Sequence, residues 1–341
     1  MSSKTHLKTV ALITKQKSMT ILITGGLGFI GSNLAKKMVS EKNEVKIYDA
    51  KIDGYGANEQ NISDIREDVN VIKGDIRNYD RLEREMEGVD VVYHLAAQLS
   101  RKLSNERPEL DVNINNIGTL NVLRAASEKE DKPHVIYTSS QAVYGDSNQI
   151  PIDEKKEATP VDIYGANKLS GEKYMRIYNK TKDVPTTTVR LTNVYGPRAQ
   201  LENPDYGVIN LFIRKALLNE TLTVFGEGST KRDFVYVKDV VEALSSCKMK
   251  PKCFGEVYLL GSGRSITIAE MAETIVASAK KGKVKNVDWP EEWRRIKVGD
   301  IIIDNSKIKE HTKWKTNTEF KEGIQNTLKY YNGITKKYIS L

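Results

Sequence analysis

Short apolar runs alternate with longer amphipathic stretches through the first half of the chain. The runs predict strands at residues 20–24, 45–48, 69–73, 89–95, 135–138 and 186–191, and the longer stretches predict helices at 79–87, 109–130 and 163–179. This alternation is typical of an α/β fold with a doubly wound parallel sheet, in which helices connect parallel strands. We therefore expect ligands at the carboxyl ends of the strands.

The pattern changes after residue 192, where turns become frequent and the elements become shorter. Residues 193–207 are predicted as a loop, short strands at 223–226 and 234–237, and helices at 208–218, 240–247, 268–281 and 324–331. We interpret residues 1–18 as a basic disordered leader, 19–192 as one domain and 193–341 as a smaller α/β lobe that closes over a substrate. The boundary is soft, because segments of the second half are expected to return to the sheet.

A glycine-rich turn joins the first strand to the first helix. It runs from Gly25 to Gly31, with Gly28 between them. Gly25 permits the tight turn, Gly28 lets the backbone approach a pyrophosphate, and Gly31 lets the helix pack close to the strand. Asp49 closes the second strand, where a carboxylate suits the ribose hydroxyls of adenosine and repels the 2′-phosphate of NADP. The turn predicts NAD binding, although Lys51 weakens the preference over NADP and an ordinary glycine turn is the alternative.

A tyrosine and a lysine lie one helical turn apart in Tyr164-Gly165-Ala166-Asn167-Lys168. The free phenol has a pKa of about 10, and a nearby ammonium and a positive nicotinamide ring both favour the phenolate. Tyr164 could then act as a base near neutral pH. Such a pair is also common on helix surfaces. The catalytic interpretation gains weight from Ser140, which ends the preceding strand and could bind the same substrate oxygen.

Composition limits the classes of partner. The chain has 341 residues, 39% of them hydrophobic and 29% charged, as in soluble globular proteins. No apolar run approaches the roughly 20 residues that span a membrane. Four lysines in the leader supply half of the net charge of +8, so we expect no nucleic-acid partner. The leader could equally reflect a start site placed too far upstream. Cys247 and Cys253 are expected to be free thiols in a reducing cytoplasm, with no metal site.

These motifs together resemble the extended short-chain dehydrogenase/reductases, and among them the nucleotide-sugar epimerases and dehydratases. The resemblance covers about residues 19–331. It is carried by residues 24–31, Asp75 and Ile76, residues 94–98, Asn115 with Gly118 and Thr119, Ser139 and Ser140 with residues 143–145, residues 164–168, 190–198, 225–228 and 232–239, Gly299 and Asp300, Asp304, and Ser306 and Lys307. It implies a Rossmann-type NAD-binding fold and a homodimer formed through the helices predicted at 109–130 and 163–179.

The resemblance also implies residue roles. The implied NAD-binding residues are Gly25, Gly28, Phe29, Ile30, Gly31, Asp49, Asp75, Ile76, Leu95, Ala96, Ala97, Asn115, Tyr164 and Lys168. Tyr164 would be the catalytic base, Lys168 would hold the nicotinamide ribose and tune Tyr164, and Ser140 would bind the sugar hydroxyl. The implied substrate-binding residues are Ser140, Asn193, Val208, Phe225 and Arg232. A guanidinium suits a pyrophosphate, although a surface ion pair with Asp233 or Glu227 is the alternative for Arg232.

The residues after Ser140 bear on the reaction. Dehydratases of the family resemble one another in an Asp-Glu pair there, and decarboxylases usually carry a glutamate in the same turn. This chain has Gln141 and Ala142, neither of which exchanges a proton at neutral pH. We therefore predict a UDP-glucose 4-epimerase-like enzyme that acts through a transient 4-keto sugar, on UDP-glucose and UDP-galactose or the N-acetyl counterparts. A 4,6-dehydratase, a decarboxylase or a 4-keto-sugar reductase is the alternative, and a non-catalytic NAD(H)-sensing protein is a remote one.

Overall fold

The computed structural model describes residues 18–145, 150–289 and 299–339. The strands in these ranges are β1 (Thr20–Thr24), β2 (Glu44–Asp49), β3 (Val69–Lys73), β4 (Val91–His94), β5 (His134–Ser140), β6 (Thr186–Leu191), β7 (Asn193–Tyr195), β8 (Thr221–Phe225), β9 (Lys231–Tyr236), β10 (Glu256–Leu260), β11 (Ser265–Thr267) and β12 (Lys283–Val287). The α-helices are α1 (Phe29–Ser40), α2 (Tyr79–Glu85), α3 (Arg101–Glu106), α4 (Pro108–Asp111), α5 (Gly118–Ser127), α6 (Ile163–Lys182), α7 (Val208–Leu217), α8 (Val237–Cys247), α9 (Ile268–Ala279), α10 (Ser306–Thr312) and α11 (Phe320–Tyr331).

The main sheet in the described part of the chain has seven parallel strands in the order β10-β6-β5-β4-β1-β2-β3. The predicted doubly wound parallel sheet is confirmed. The chain adds strands in one direction from β1 to β3 and in the other from β4 onward, so a crevice opens between β1 and β4 at their carboxyl ends. The seventh strand, β10, comes from beyond residue 193 and pairs with β6.

Both faces of the sheet are covered, which explains the nearly continuous apolar strands. In β1, Ile21 and Ile23 belong to the core beneath α1 and α8, whereas Leu22 belongs to the core beneath α2, α5 and α6. The alternating side chains of one strand therefore serve two separate layers. The carboxyl ends of neighbouring strands lie side by side, since Thr24 of β1 pairs with Tyr48 of β2 and with His94 of β4.

Residues beyond β6 build a second layer of structure over the carboxyl edge of the sheet. A small sheet has the order β11-β9-β7, and β12 pairs with β8. Their core contains Ile213, Leu222, Phe234, Met271 and Ile324. Strand β7 lies inside the stretch predicted as a loop, because Asn193 to Tyr195 pair with β9 after the chain leaves β6.

The helix predicted at 109–130 is present from Pro108 to Ser127. Its middle part, Val112–Ile117, is π-helical instead of α-helical. Gln98, in the loop after β4, donates hydrogen bonds to the side chains of Asp111 and Asn115 and accepts one from Asn115, which ties this stretch to that loop. A π-helical turn inside an otherwise α-helical segment is often found at a functional site. The predicted leader falls almost entirely on residues 1–17, which lie outside the described residues.

Candidate active site

A cleft of about 390 Å³ lies at the carboxyl edge of the main sheet. The glycine-rich turn and the ends of β2, β4, β5 and β6 line one side of it, and the segment from Asp205 to Asn210 lines the other. The predicted site residues that line it are Gly25, Gly28, Phe29, Ile30, Gly31, Asp49, Asp75, Ile76, Leu95, Ala96, Ala97, Ser140, Tyr164, Lys168, Asn193 and Val208. Strand ends from distant parts of the sequence therefore meet in one place.

The glycine-rich turn has no room for larger residues at two positions. A Cβ on Gly31 would lie 2.3 Å from the carbonyl oxygen of Gly25, and a Cβ on Gly25 would lie 2.8 Å from the nitrogen of Ala96. Gly25 also has a φ of +73°, which favours glycine. Helix α1 begins after Gly28 without a side-chain cap, so its first N–H groups are available to a diphosphate. This cradle fits a dinucleotide.

Asp49 is held with its carboxylate at the cleft. Its two oxygens accept hydrogen bonds from the backbone nitrogens of Leu27, at 3.0 Å, and Lys51, at 2.9 Å. Burial raises the pKa of this carboxyl, and the two backbone donors oppose that rise. The ammonium of Lys51 pairs with Glu59. This ion pair offsets the positive charge of Lys51, which was the reason that the sequence favoured NAD over NADP only weakly.

Two other predicted cofactor residues have strong partners in the protein. Asp75 lines the cleft and accepts hydrogen bonds from Arg77, which lowers the pKa of its carboxyl against the effect of burial. Asn115 lies behind the cleft instead of in its wall. Its side chain is bonded to both backbone groups of Gln98 and to Asp111. The NAD contact predicted for Asn115 stays a prediction, and in this structure the side chain of Asn115 positions the loop after β4.

Tyr164, Lys168 and Ser140 meet at the floor of the cleft. Asp162 caps α6 by accepting a hydrogen bond of 2.7 Å from the nitrogen of Gly165, which fixes the first helical turn and with it Tyr164. Ser140 lies close enough to the phenol of Tyr164 for its hydroxyl to oppose the rise in the pKa that burial causes. Lys168 lies one turn further along the same face. The predicted triad is therefore brought together.

Burial dominates the electrostatics of this triad in the protein chain alone. It raises the pKa of Tyr164 to about 12, and the nearby hydroxyl of Ser140 only partly opposes that rise. Burial also lowers the pKa of Lys168 to about 8, while the carboxylates of Asp111 and Glu172 act in the opposite direction. The Lys168 ammonium lies 4.5 Å from the ring centre of Tyr137. Lys168 alone therefore does not bring the pKa of Tyr164 into the neutral range, so the second contribution expected from the sequence, a positive nicotinamide ring, is needed as well.

Two predicted substrate residues lie outside the wall of the cleft. Arg232 donates hydrogen bonds to the carbonyl oxygens of Lys231, at 2.9 Å, and Gly299, at 2.8 Å, and burial lowers the pKa of its guanidinium. Phe225 packs against Trp289 with ring centres 5.3 Å apart. Both belong to the second layer, so an extended ligand would have to leave the main cleft to reach them.

Known proteins share this architecture over nearly the whole chain. The family model described as GDP-mannose 4,6 dehydratase matches residues 22–327. This chain is an extended short-chain dehydrogenase/reductase of the nucleotide-sugar epimerase and dehydratase group. A putative UDP-glucose 4-epimerase of Methanocaldococcus jannaschii is 35% identical over 312 residues, covering 91% of this chain and 97% of that protein.

Relatives in this group differ in the reaction that their names describe. A UDP-N-acetyl-alpha-D-glucosaminuronate decarboxylase of Bacillus cytotoxicus is 31% identical, covering 92% of this chain and 98% of that protein. The Thermus thermophilus UDP-glucose 4-epimerase, solved in complex with NAD, has a TM-score of 0.82 and 27% identity, covering 92% of this chain and 99% of that one. Membership of the group therefore leaves the individual reaction open.

Two buried networks support the site of this family member, and the sequence analysis missed both. The carboxylate of Asp111 accepts hydrogen bonds from Gln98, Asn115 and Asn167. Behind Ser140, Arg190 binds Glu172 through two nitrogens, and Glu172 accepts the hydroxyl proton of Ser139. One signal was available, because Glu172 follows Lys168 at the same four-residue spacing that separates Lys168 from Tyr164.

Other features of this reductase-family chain concern thiols, metals and membranes. Cys247 and Cys253 are buried free thiols, as predicted. In the described ranges, no three His, Cys, Asp or Glu side chains are grouped so as to hold a metal ion. None of the helices in that part of the chain combines the length and the apolar character needed to cross a membrane.

Proposed function

We propose that this protein is an NAD-dependent nucleotide-sugar 4-epimerase. The observation that carries the proposal is the meeting of Ser140, Tyr164 and Lys168 beside the glycine cradle, with Gln141 and Ala142 following Ser140. NAD is the cofactor, as predicted, because the chain belongs to an NAD-dependent group and the cradle and Asp49 fit it. The substrate is a nucleotide-diphosphate sugar.

The side chains of the triad have distinct tasks in this mechanism. Ser140 holds the oxygen on C4 of the sugar, and Tyr164 takes the proton from that oxygen. Lys168 supplies positive charge beneath the cofactor site and stabilises the phenolate. NAD, when bound, supplies reversible acceptance of a hydride from C4 and a positive ring that further favours the phenolate. Tyr164 returns its proton to the oxygen in the second half of the reaction.

The residues after Ser140 favour epimerisation over the other reactions of the group. A dehydratase needs an acid and a base to remove water across C5 and C6, and neither Gln141 nor Ala142 can exchange a proton at neutral pH. The 4-keto sugar can instead turn over within the cleft and be reduced on its other face. The cofactor is regenerated in each cycle, so no external reductant is consumed.

We also propose that the enzyme is a homodimer. Val112, Ile117, Ile163 and Ile177 are large apolar side chains that remain substantially exposed on the segment from 112 to 117 and on α6. These elements lie side by side and also carry Asn115, Tyr164 and Lys168. Two copies pairing there would cover the apolar side chains in both. The free thiols of Cys247 and Cys253 favour the reducing cytoplasm as the compartment.

A product scan tests the proposed reaction. Purified protein carrying NAD is incubated without reductant with UDP-glucose, UDP-galactose, UDP-N-acetylglucosamine and UDP-glucuronate, and NMR identifies the products. We expect a C4 epimer that disappears in Tyr164→Phe. Tyr178→Phe, on the same helix but outside the cleft, is the matched control and should retain turnover. A 4-keto-6-deoxy sugar or a pentose as the main product would overturn the proposal.

A further inference from the structure

Gln141 faces the cleft immediately beside the catalytic serine. It opens the short turn Gln141–Tyr144 that follows β5, and it lines the cleft together with Ser140 and Thr192. Because Ser140 holds the oxygen on C4, a side chain on the next residue is placed to contact a neighbouring part of the sugar. The proposed mechanism gives Gln141 no task.

The orientation of the Gln141 amide follows from its partners. The hydroxyl of Thr192 donates to Oε1 of Gln141 at 3.0 Å. The same hydroxyl lies 3.0 Å from the carbonyl oxygen of Asp233, and its one hydrogen serves one acceptor at a time. That carbonyl also accepts a hydrogen bond of 3.0 Å from Nδ2 of Asn193, so it keeps a donor when Thr192 donates to Gln141. Within the described residues Nε2 of Gln141 has no acceptor, and the amide therefore presents its two N–H donors at the cleft.

A positive charge lies near the same end of the site. Arg101 binds the helix-capping carboxylate of Asp162 through Nε and one terminal nitrogen. Its side chain is about half exposed, and its other terminal nitrogen has no acceptor among the described residues. Its charge reaches both Tyr164 and Arg232, whose pKa values it lowers. At Tyr164 the carboxylates of Asp111 and Asp162 raise the pKa and Arg101 lowers it, so the charge of Arg101 is largely balanced there.

We propose that Gln141 is a specificity residue that selects a nucleotide-diphospho-hexuronate, whose carboxylate on C5 lies next to the reacting C4. A carboxylate has acceptor positions only, so it matches an amide that offers donors only. The hydroxymethyl group of a simple hexose also carries an O–H donor, and the amide nitrogen of Gln141 cannot accept a hydrogen bond from it. This inference rests on the proposed function, because it takes C4 as the reacting carbon.

A change in sugar preference distinguishes this role from a structural one. If Gln141 only braces Thr192, its replacement will affect all sugars alike. If Gln141 binds the carboxylate, the ratio of kcat/KM for UDP-glucuronate to kcat/KM for UDP-glucose will change. Gln141→Glu keeps the shape but replaces the donors with a negative charge, and exposed Gln325→Glu on α11 makes the same chemical change outside the cleft.

The experiment compares UDP-glucuronate, UDP-N-acetylglucosamine and UDP-glucose with the NAD-loaded enzyme. We expect wild type and Gln325→Glu to use UDP-glucuronate at least about tenfold better than UDP-glucose. In Gln141→Glu this preference should fall on the order of 10- to 100-fold. A wild-type preference for UDP-glucose or UDP-N-acetylglucosamine, or an unchanged ratio in Gln141→Glu, would overturn the inference. The wild-type ratio remains decisive if the variant does not fold.

Calorimetry separates the two proposals. The Tyr164→Phe variant, loaded with NAD, is titrated with the same three nucleotide sugars. Tighter binding of UDP-glucuronate with no C4 epimer from any sugar in the active enzyme would uphold recognition by Gln141 and overturn the epimerase. Equal binding of all three sugars, with epimers formed by the active enzyme, would overturn the inference and uphold the epimerase.

Discussion

The ammonium nitrogen of Lys168 lies 4.5 Å from the centre of the Tyr137 ring, within the range of a cation–π interaction. Tyr137 is fully buried, and its ring stacks in turn on His94. The catalytic lysine is thus held over an aromatic surface inside the protein, where water does not stabilise its charge. The cost of this placement appears in the pKa of Lys168, which burial lowers to about 8.

We predict that Lys168→Met stabilises the cofactor-free protein at neutral pH while it abolishes turnover. Between pH 8 and 10.5 the folded lysine is neutral while the unfolded lysine still binds a proton, so the free energy of unfolding rises with pH across this window. Below pH 8 the buried charge costs about 3 kcal/mol. Urea unfolding at pH 7 should give the variant a larger free energy of unfolding than wild type, by up to that amount. At pH 10 the difference should be smaller.

The matched control for this prediction is Lys173→Met, which removes an exposed lysine from the same helix. It should leave the stability nearly unchanged at both values of pH. A Lys168→Met protein that is less stable than wild type at pH 7 would show that the contact with Tyr137 outweighs the desolvation of the ammonium.

Two buried histidines predict a loss of stability in mild acid. Burial lowers the pKa of His94 and of His134 to about 3, against an ordinary value of 6.5. As pH falls through 6.5 the unfolded chain takes up protons that the folded chain does not, so each histidine lowers the free energy of unfolding by about 1.4 kcal/mol per pH unit. This loss continues until the pH approaches the folded pKa values.

His134→Gln tests this linkage, because a glutamine amide can still bond Thr187 and the nitrogen of Met249. Denaturant unfolding between pH 6.5 and 5 should give a slope against pH that is lower by about 1.4 kcal/mol per unit than in wild type. An identical slope in the two proteins would mean that His134 binds its proton in the folded state.

The buried pair of Arg190 and Glu172 is expected to be costly to break. Arg190 contacts both oxygens of Glu172, at 2.9 and 2.6 Å, and both side chains are buried. Glu172→Gln should lower the free energy of unfolding by about 3 to 5 kcal/mol, because it leaves a buried guanidinium without its counter-charge. Urea unfolding of this variant, of Arg190→Met and of the double variant measures the coupling. Losses that simply add in the double variant would contradict a specific pair.

Gly31 and Gly28 should respond differently to alanine. A Cβ on Gly31 would meet the Gly25 oxygen at 2.3 Å, whereas a Cβ on Gly28 would lie 3.3 Å from the same atom. We therefore expect Gly31→Ala to lower Tm and to abolish NAD binding. Gly28→Ala should keep Tm close to wild type while weakening NAD binding, because its added methyl lies where the diphosphate approaches. Thermal unfolding and fluorescence titration with NAD check both variants. Equal Tm values for the two variants would contradict the close packing at Gly31.

The parts of the fold and site that could be predicted from the sequence are those that a local pattern of residues determines. Strand β1 is an apolar run covered on both faces, so its local pattern and its tertiary environment agree. The proximity of Tyr164 and Lys168 could also be predicted, because both residues lie on one helix, four positions apart. Asp49 could be placed at the cleft, because it is the last residue of a parallel strand and ligands bind at the carboxyl ends of such strands.

What the sequence did not reveal depends on contacts between distant segments. The π-helical stretch at Val112–Ile117 is held by side chains that reach the loop at Gln98, and helical periodicity carries no trace of such bonds. The rise in the pKa of Tyr164 that burial causes could not be predicted either, because burial is a property of the fold. Arg232 has the right chemistry for a diphosphate, yet its bonds to the backbone at Lys231 and Gly299 could not be read from its neighbours.

The fate of the hydrogen on C4 tests the epimerase most directly. UDP-glucose and UDP-glucuronate deuterated at C4 are incubated with the NAD-loaded protein without added oxidant or reductant, and NMR locates the label in each product. We predict C4 epimers that keep deuterium at C4, because the hydride removed from that carbon returns to its other face while Tyr164 exchanges only the hydroxyl proton. Deuterium at C6 of a 4-keto-6-deoxy sugar, a labelled pentose, or no product from either sugar would contradict the account.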